Sequence, residues 1–275
     1  MTDDSFVTLK ASSKKKSGVL VDKTLNTKEN YLKLIERFNS RLQLVKSADI
    51  YKEIVDSLKQ FSDKNNIHWN SIRCLALGSP CSENQALFQL CLLHLIANDC
   101  KIKVISIYDP VFNDLDRKFL QQELKFAVEK EYVRSDNDCC CYYMPHSPIS
   151  LLETIISTEK PEWMLTNDFT LYSSKYTEVE YYDKYPYCAR IANLHNVKTQ
   201  LPTTGEKPDN DDFEVVVSKR SQRKKTKQFI KPIVKYDYDS CYFKSSTKIV
   251  YLSGNDSNQP WDYSFSDTSF TALYK

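Results

Sequence analysis

The chain has 275 residues, 38 Lys+Arg against 36 Asp+Glu, and a formal charge of +2. It holds only 4 glycines, where ordinary usage would give about 19. Gly18, Gly78, Gly205 and Gly254 cannot write a GxGxxG fingerprint, a GxxxxGK[ST] phosphate loop or a GxSxG elbow, and the near-neutral charge argues against a DNA-coating protein.

Residues 1–25 are polar and carry Lys14-Lys15-Lys16, which reads as a disordered tail, and the acidic start Met1-Thr2-Asp3-Asp4 lacks the positive charge of a signal peptide. Tyr31, Leu34, Ile35, Phe38, Leu42 and Val45, then Tyr51, Ile54, Val55, Leu58 and Phe61, give helical spacing twice, with a break at Ser47-Ala48-Asp49. Arg73-Cys74-Leu75-Ala76-Leu77 reads as a buried strand stopped by Gly78-Ser79-Pro80. Ser82 to Gln85 has the form of a capping box, with Ser82 as N-cap and Gln85 at N3. The helix behind it, Ala86 to Ala97, is apolar nearly all round and is expected to be buried. Its 12 residues are the longest apolar run, short of the about 20 a membrane helix needs.

Lys103 to Tyr108 is a second strand, stopped by Asp109-Pro110, and Asn113 or Asp114 caps a helix carrying Leu115, Phe119, Leu124, Ala127 and Val128. Glu131-Tyr132-Val133 reads as a short strand and Cys139 to Met144 as a fourth, stopped by Pro145. Pro148 then opens a helix from Ile149 to Ile156, and Trp163-Met164-Leu165 begins a last strand. Strands alternating with helices predict an α/β fold: a Rossmann-like, mostly parallel sheet with flanking helices and right-handed crossovers, preceded by a helical segment. The expected organisation is a tail at 1–25, an α/β domain at 26–197, a charged linker at 198–235, and a segment at 236–275 that returns to the domain.

In such a sheet, ligands sit beyond the carboxyl ends of the strands where strand order reverses. Three loops lead there. Gly78-Ser79-Pro80-Cys81-Ser82 precedes a helix whose free N–H groups suit a phosphate or carboxylate, or it is a plain turn. Asp109 closes the second strand, where an acid commonly meets ribose hydroxyls, or it merely ends the strand. His146, held between Pro145 and Pro148, faces Ser79, Cys81 and Ser82 if the first and fourth strands are neighbours. Cys81 near a helix N-terminus with His146 as its base would form a nucleophilic pair; His146 alone would serve as a general acid or base, or as a structural histidine.

Nine cysteines, three of them consecutive at Cys139-Cys140-Cys141, do not form a secreted disulfide framework and read as reduced, mostly buried thiols in the cytosol or nucleus. No zinc spacing is completed, so no metal is expected. Six positive charges between Lys219 and Lys227 read as solvated linker or nuclear import signal, without the partners that nucleic-acid recognition needs. At an offset of 208 residues this region echoes the amino terminus: Asp3, Asp4, Val7, Leu9, Ser13, Lys15 and Lys16 match Asp211, Asp212, Val215, Val217, Ser221, Arg223 and Lys224.

Several segments together resemble the Sensitivity-to-Red-light-Reduced (SRR-like) family. They are Leu77-Gly78-Ser79 with Ser82 and Gln85, Tyr108-Asp109-Pro110-Val111-Phe112, Tyr143-Met144-Pro145-His146, Trp163, and Asn167-Asp168-Phe169 with Tyr172, then Phe265-Ser266-Asp267-Thr268-Ser269 near the carboxyl end. Ser147 stands where many members carry cysteine, Ser266 where they carry asparagine, and Asp168 where serine is common. The resemblance, closest to fungal members named for benomyl resistance, implies a regulatory role: light and circadian signalling in plants, haem-biosynthesis and clock regulation in animals, microtubule-linked processes in fungi. It implies Gly78, Ser79, Ser82, Gln85, Asp109, His146 and Asn167 as pocket residues, protein partners and no assigned reaction, while the strand-end loops by themselves suit a small anionic or nucleotide-like ligand of unknown identity. The competing expectation is an S-adenosylmethionine- or nucleotide-dependent enzyme.

Overall fold

Leu34, Phe38 and Val45 are the buried residues of helix α1 (Lys28–Ser47), and Ile50, Tyr51, Ile54, Val55, Leu58 and Phe61 are those of α2 (Asp49–Asn65). Extended Ala48 separates the two helices, and left-handed Asn66 ends the second. The computed structural model describes residues 28–134, 139–199, 233–255 and 258–275. The tail at 1–25, the basic run 219–227, the echo between them and most of the 198–235 linker lie outside the described residues.

Strand β1 (Ser71–Leu75) is wholly buried and begins two residues before the apolar run suggested. Helix α3 (Asn84–Asp99) is buried nearly all round, as its composition predicted. Its cap differs from the expectation. Glu83 is the N-cap and no side chain caps the helix. The Ser79 carbonyl takes the N–H of both Ser82 and Glu83, so the turn runs one residue further and Ser82 is left exposed within it.

Strand β2 (Val104–Tyr108) leads to α4 (Asp114–Gln122), where Asn113 and Asp116 form a reciprocal capping box. This helix stops earlier than predicted. Left-handed Lys125 breaks it, Phe126 turns into the core, and Ala127–Val128 become β3, paired with Ser106 and Ile107. The strand expected at Glu131-Tyr132-Val133 is irregular chain. Strand β4 (Cys140–Met144), helix α5 (Ile149–Thr158) with Pro148 as N-cap, and β5 (Trp163–Asn167) follow as predicted, within one to two residues. β5 is not the last strand that the sequence suggested: beyond it come α6 (Phe169–Ser173), α7 (Glu178–Lys184), α8 (Pro186–Thr199), β6 (Ser245–Val250) and β7 (Thr268–Tyr274).

The strands form one sheet in the order β3-β2-β1-β4-β5-β7-β6. Pairings among β1 to β5 are parallel, and β7 runs antiparallel to both β5 and β6. The fold is therefore α/β with a mostly parallel sheet. Alternate residues of each strand serve opposite faces. Ile72, Cys74, Ile107, Cys141, Tyr143 and Leu165 pack with α1 to α4, whereas Leu75, Cys140, Tyr142, Met144 and Met164 pack with α5, α7 and α8. All nine cysteines are free, and burial raises the thiol pKa of Cys74, Cys91, Cys141 and Cys188. Gly254 packs so closely that a Cβ there would stand 2.4 Å from the Phe265 carbonyl oxygen.

Candidate functional site

β1 lies between β2 and β4, and the chain runs outward from it in both directions, so a crevice opens beyond the carboxyl ends of these three strands. It is a cavity of about 950 Å³, near the top of the ligand-pocket range. Leu75, Ala76 and Gly78 from the end of β1 form its floor, with Tyr108 to Val111 on one side and His146 and Pro148 on the other. Leu151, Thr154 and Ile155 of α5 and Tyr132 close the apolar wall, while Glu83 and Gln85 project from the start of α3.

The floor is conformationally strained. Ala76 and Gly78 both have positive φ, 53° and 81°, and a left-handed non-glycine residue costs roughly 1–2 kcal/mol. Internal carboxylates hold the turn in place. Asp109 Oδ2 accepts from the Gly78 N–H at 2.8 Å and Oδ1 from the Val111 N–H at 3.0 Å. Fully buried Asp116 accepts from the Ser79 hydroxyl at 2.6 Å, the Cys81 N–H at 2.9 Å and the Asn113 N–H at 3.2 Å. Asp116→Asn places an amide against these donors and is expected to lower unfolding free energy by about 1–3 kcal/mol. Urea denaturation measures this, and an unchanged midpoint would refute the bracing role.

Of the residues singled out from sequence, Gly78, Gln85, Asp109 and His146 come together in the cleft. Ser79, Cys81, Ser82 and Asn167 are not among its lining residues. Ser79 is tied to Asp116, and the Cys81 thiol accepts from the Asn113 amide at 2.9 Å. Asn167 is buried at the end of β5, opposite Thr268 of β7. β1 and β4 are indeed neighbours, but His146 shares the cleft with Gly78 and Glu83, not with the thiol. Sequence reasoning missed Glu83, Tyr108, Tyr132 and the α5 wall. Leu151 and Ile155, four apart on a predicted helix, were the legible signal for that wall.

Beneath Tyr132 lies a charged network. Arg73, 2% exposed in mid-strand, donates from Nη1 to Glu129 Oε1 at 2.7 Å and from Nη2 to the Val133 carbonyl. Its Nε stands 3.4 Å from Glu159 Oε2. The Tyr132 and Tyr142 hydroxyls both donate to Glu159, and the guanidinium lies 5.4 Å from the Tyr132 ring centroid.

His146 opens onto the cleft mouth, where desolvation pushes its pKa below 6.5 against the opposing pull of Asp267 and Glu83. Desolvation lowers His94 as well. The unfolded chain therefore takes up these protons first, so the stability contributed by the neutral rings is present above pH 6.5 and is lost as pH falls through the folded values. Unfolding free energy is expected to decline on acidification below pH 6.5, less steeply in His94→Gln and His146→Gln. Parallel pH profiles for wild type and both variants would contradict this.

Among the described residues, no group of three or more His, Cys, Asp or Glu side chains could hold a metal ion, and no helix is long and apolar enough to cross a membrane. A family model described as the SRR1 domain matches residues 34–272. No curated protein and no solved structure gives a significant match.

Proposed function

The chain belongs to the SRR1 domain family, and from that premise we propose that it is an SRR-like regulatory protein whose cleft binds a small molecule and whose surface reports occupancy to protein partners. The observation that carries this reading is the cleft itself. It gathers Gly78, Gln85, Asp109 and His146 against an apolar wall at the switch point of the sheet, while Cys81 is held away by Asn113. The length and lysine-bearing tail support a place among the fungal members, hence a microtubule-linked process, in the cytoplasm with access to the nucleus. The test is native mass spectrometry of the protein isolated from its own cells, combined with Asp109→Asn and His146→Ala. A bound small molecule, and cellular function lost without loss of any turnover, are the expected results. A measured reaction abolished in either folded variant would overturn the non-catalytic reading.

A second reading is an S-adenosylmethionine- or nucleotide-dependent enzyme. It is favoured by the sheet order with β7 as its reversed strand, together with an acid at the end of β2. That layout matches methyltransferase sheets, which is an analogy of fold alone. Calorimetry with S-adenosylmethionine, its demethylated product and common nucleotides tests it; silence at millimolar concentration removes it.

A further inference from the structure

The loop after β1 holds carboxylates of its own where a phosphate-binding turn would leave its N–H groups free. The Gly78 N–H donates to Asp109 and the Cys81 N–H to Asp116, while those of Ser82 and Glu83 go to the Ser79 carbonyl at 3.1 and 2.8 Å. The Glu83 carboxylate lies over Gly78, so that a Cβ added there would meet its Oε2 at 2.8 Å. In phosphate sites at helix N-termini, backbone N–H groups point unpaired at the ligand. Here the loop's own N–H groups, at Gly78, Cys81, Ser82 and Glu83, are taken.

The walls agree with the loop. Glu83 and Asp109 line the cleft, and no lysine or arginine does among the described residues. An anion there would stand beside two carboxylates, with only His146, whose pKa desolvation lowers, as a titratable counter-charge on the walls. A cation would find both. Each Asp109 oxygen accepts one internal bond and keeps a second lone pair for a hydroxyl or N–H of a ligand. Tyr108 and Tyr132, edge to face at 6.0 Å, form a surface for a planar ring beside Leu151 and Ile155.

We infer that the cleft takes a nucleoside-sized organic cation, an aromatic base bearing an ammonium or sulfonium group and no phosphate. This rests on reading the cleft as a ligand site and adds the charge class of its occupant, excluding nucleotides.

The experiment is calorimetry at pH 7 with three probes sharing one nucleoside: 5′-amino-5′-deoxyadenosine, adenosine and AMP. The amine is expected to bind at least about tenfold tighter than adenosine, and AMP at least about tenfold weaker. Glu83 is solvent-exposed, so Glu83→Gln keeps the fold and is expected to narrow the gap between amine and AMP by about tenfold, as is raised salt. AMP binding as tightly as the amine, or a gap unchanged in Glu83→Gln, overturns the charge class and leaves the cleft as a ligand site. No heat from any probe at millimolar concentration overturns the nucleoside-cation class. The ligand-site reading falls separately, if protein from its own cells also carries no small molecule.

Discussion

Arg73→Met is expected to destabilise the protein by about 3–5 kcal/mol, the cost of removing one partner from a buried ion pair. The guanidinium is shared by Glu129 and Glu159, and the Glu159 side chain has no solvent exposure. Methionine fills much of the volume and supplies none of the charge, so the loss is electrostatic and not a cavity effect. Arg73→Lys keeps a positive charge but gives up the fork that reaches Glu129 and the Val133 carbonyl together; its loss should be smaller. Pairing Arg73→Met with Glu159→Gln should recover part of the stability, because the second change removes the stranded charge. Urea denaturation of the four proteins forms a double-mutant cycle with a lysine control. Additive losses would show that the two groups do not act as a pair. The same network sets Tyr132 on the cleft wall, so Arg73→Met should also weaken ligand binding in whatever fraction remains folded.

Gly78→Val is the second large effect, expected at about 2–5 kcal/mol from left-handed strain and overpacking combined. At φ +81 a β-branched residue is strained whatever the space around it. The added Cβ would also stand 3.3 Å from the Ala86 Cβ and 2.8 Å from Glu83 Oε2, displacing that cleft-lining carboxylate. Stability and binding should therefore fall together. Gly78→Ala carries the same backbone strain with less bulk and should lie between valine and wild type. Thermal unfolding of both variants, with the cleft probed by calorimetry, separates the contributions. Equal stability of glycine, alanine and valine at this position would refute the strained-turn account.

Elements whose pattern is local were legible in the sequence. The two leading helices, the apolar helix 86–97 and the strands ending at Tyr108 and Met144 follow from periodicity and from their Asp-Pro and proline stops. What the sequence concealed depended on distant partners. Arg73 looked like the edge of a strand and is its buried centre, because Glu129 and Glu159 arrive from elsewhere in the chain. Ser82 had the spacing of a cap, but the Ser79 carbonyl extended the turn past it. The Leu124 to Val128 stretch continued a helical period, yet burial of Phe126 and pairing with β2 turned it into a strand. Further end signals stand in the sequence beyond Asp168. Thr177 and Glu180 form a true capping box, and Pro186 sits at the first position of α8. In the cleft, Gly78, Gln85, Asp109 and His146 were reachable from motifs at strand ends, whereas Glu83 and Tyr132 gain their places only from tertiary packing.

The position of β7 has a consequence for biosynthesis. It lies between β5 and β6 but follows both in the chain, and translation delivers residues in order at roughly 5–20 per second. Until Thr268–Tyr274 leaves the ribosome, β5 ends in an open row of backbone donors and acceptors, and β6 has no strand to join. The nascent chain thus carries an unfinished sheet edge from the completion of β5 at Asn167 until Thr268–Tyr274 follows, and chaperone capture is expected to persist until β7 emerges. Ribosome-bound chains arrested before residue 268 should remain protease-sensitive at β6, while released chains that carry β7 should resist. Equal resistance in both would mean that the sheet closes by another order of assembly.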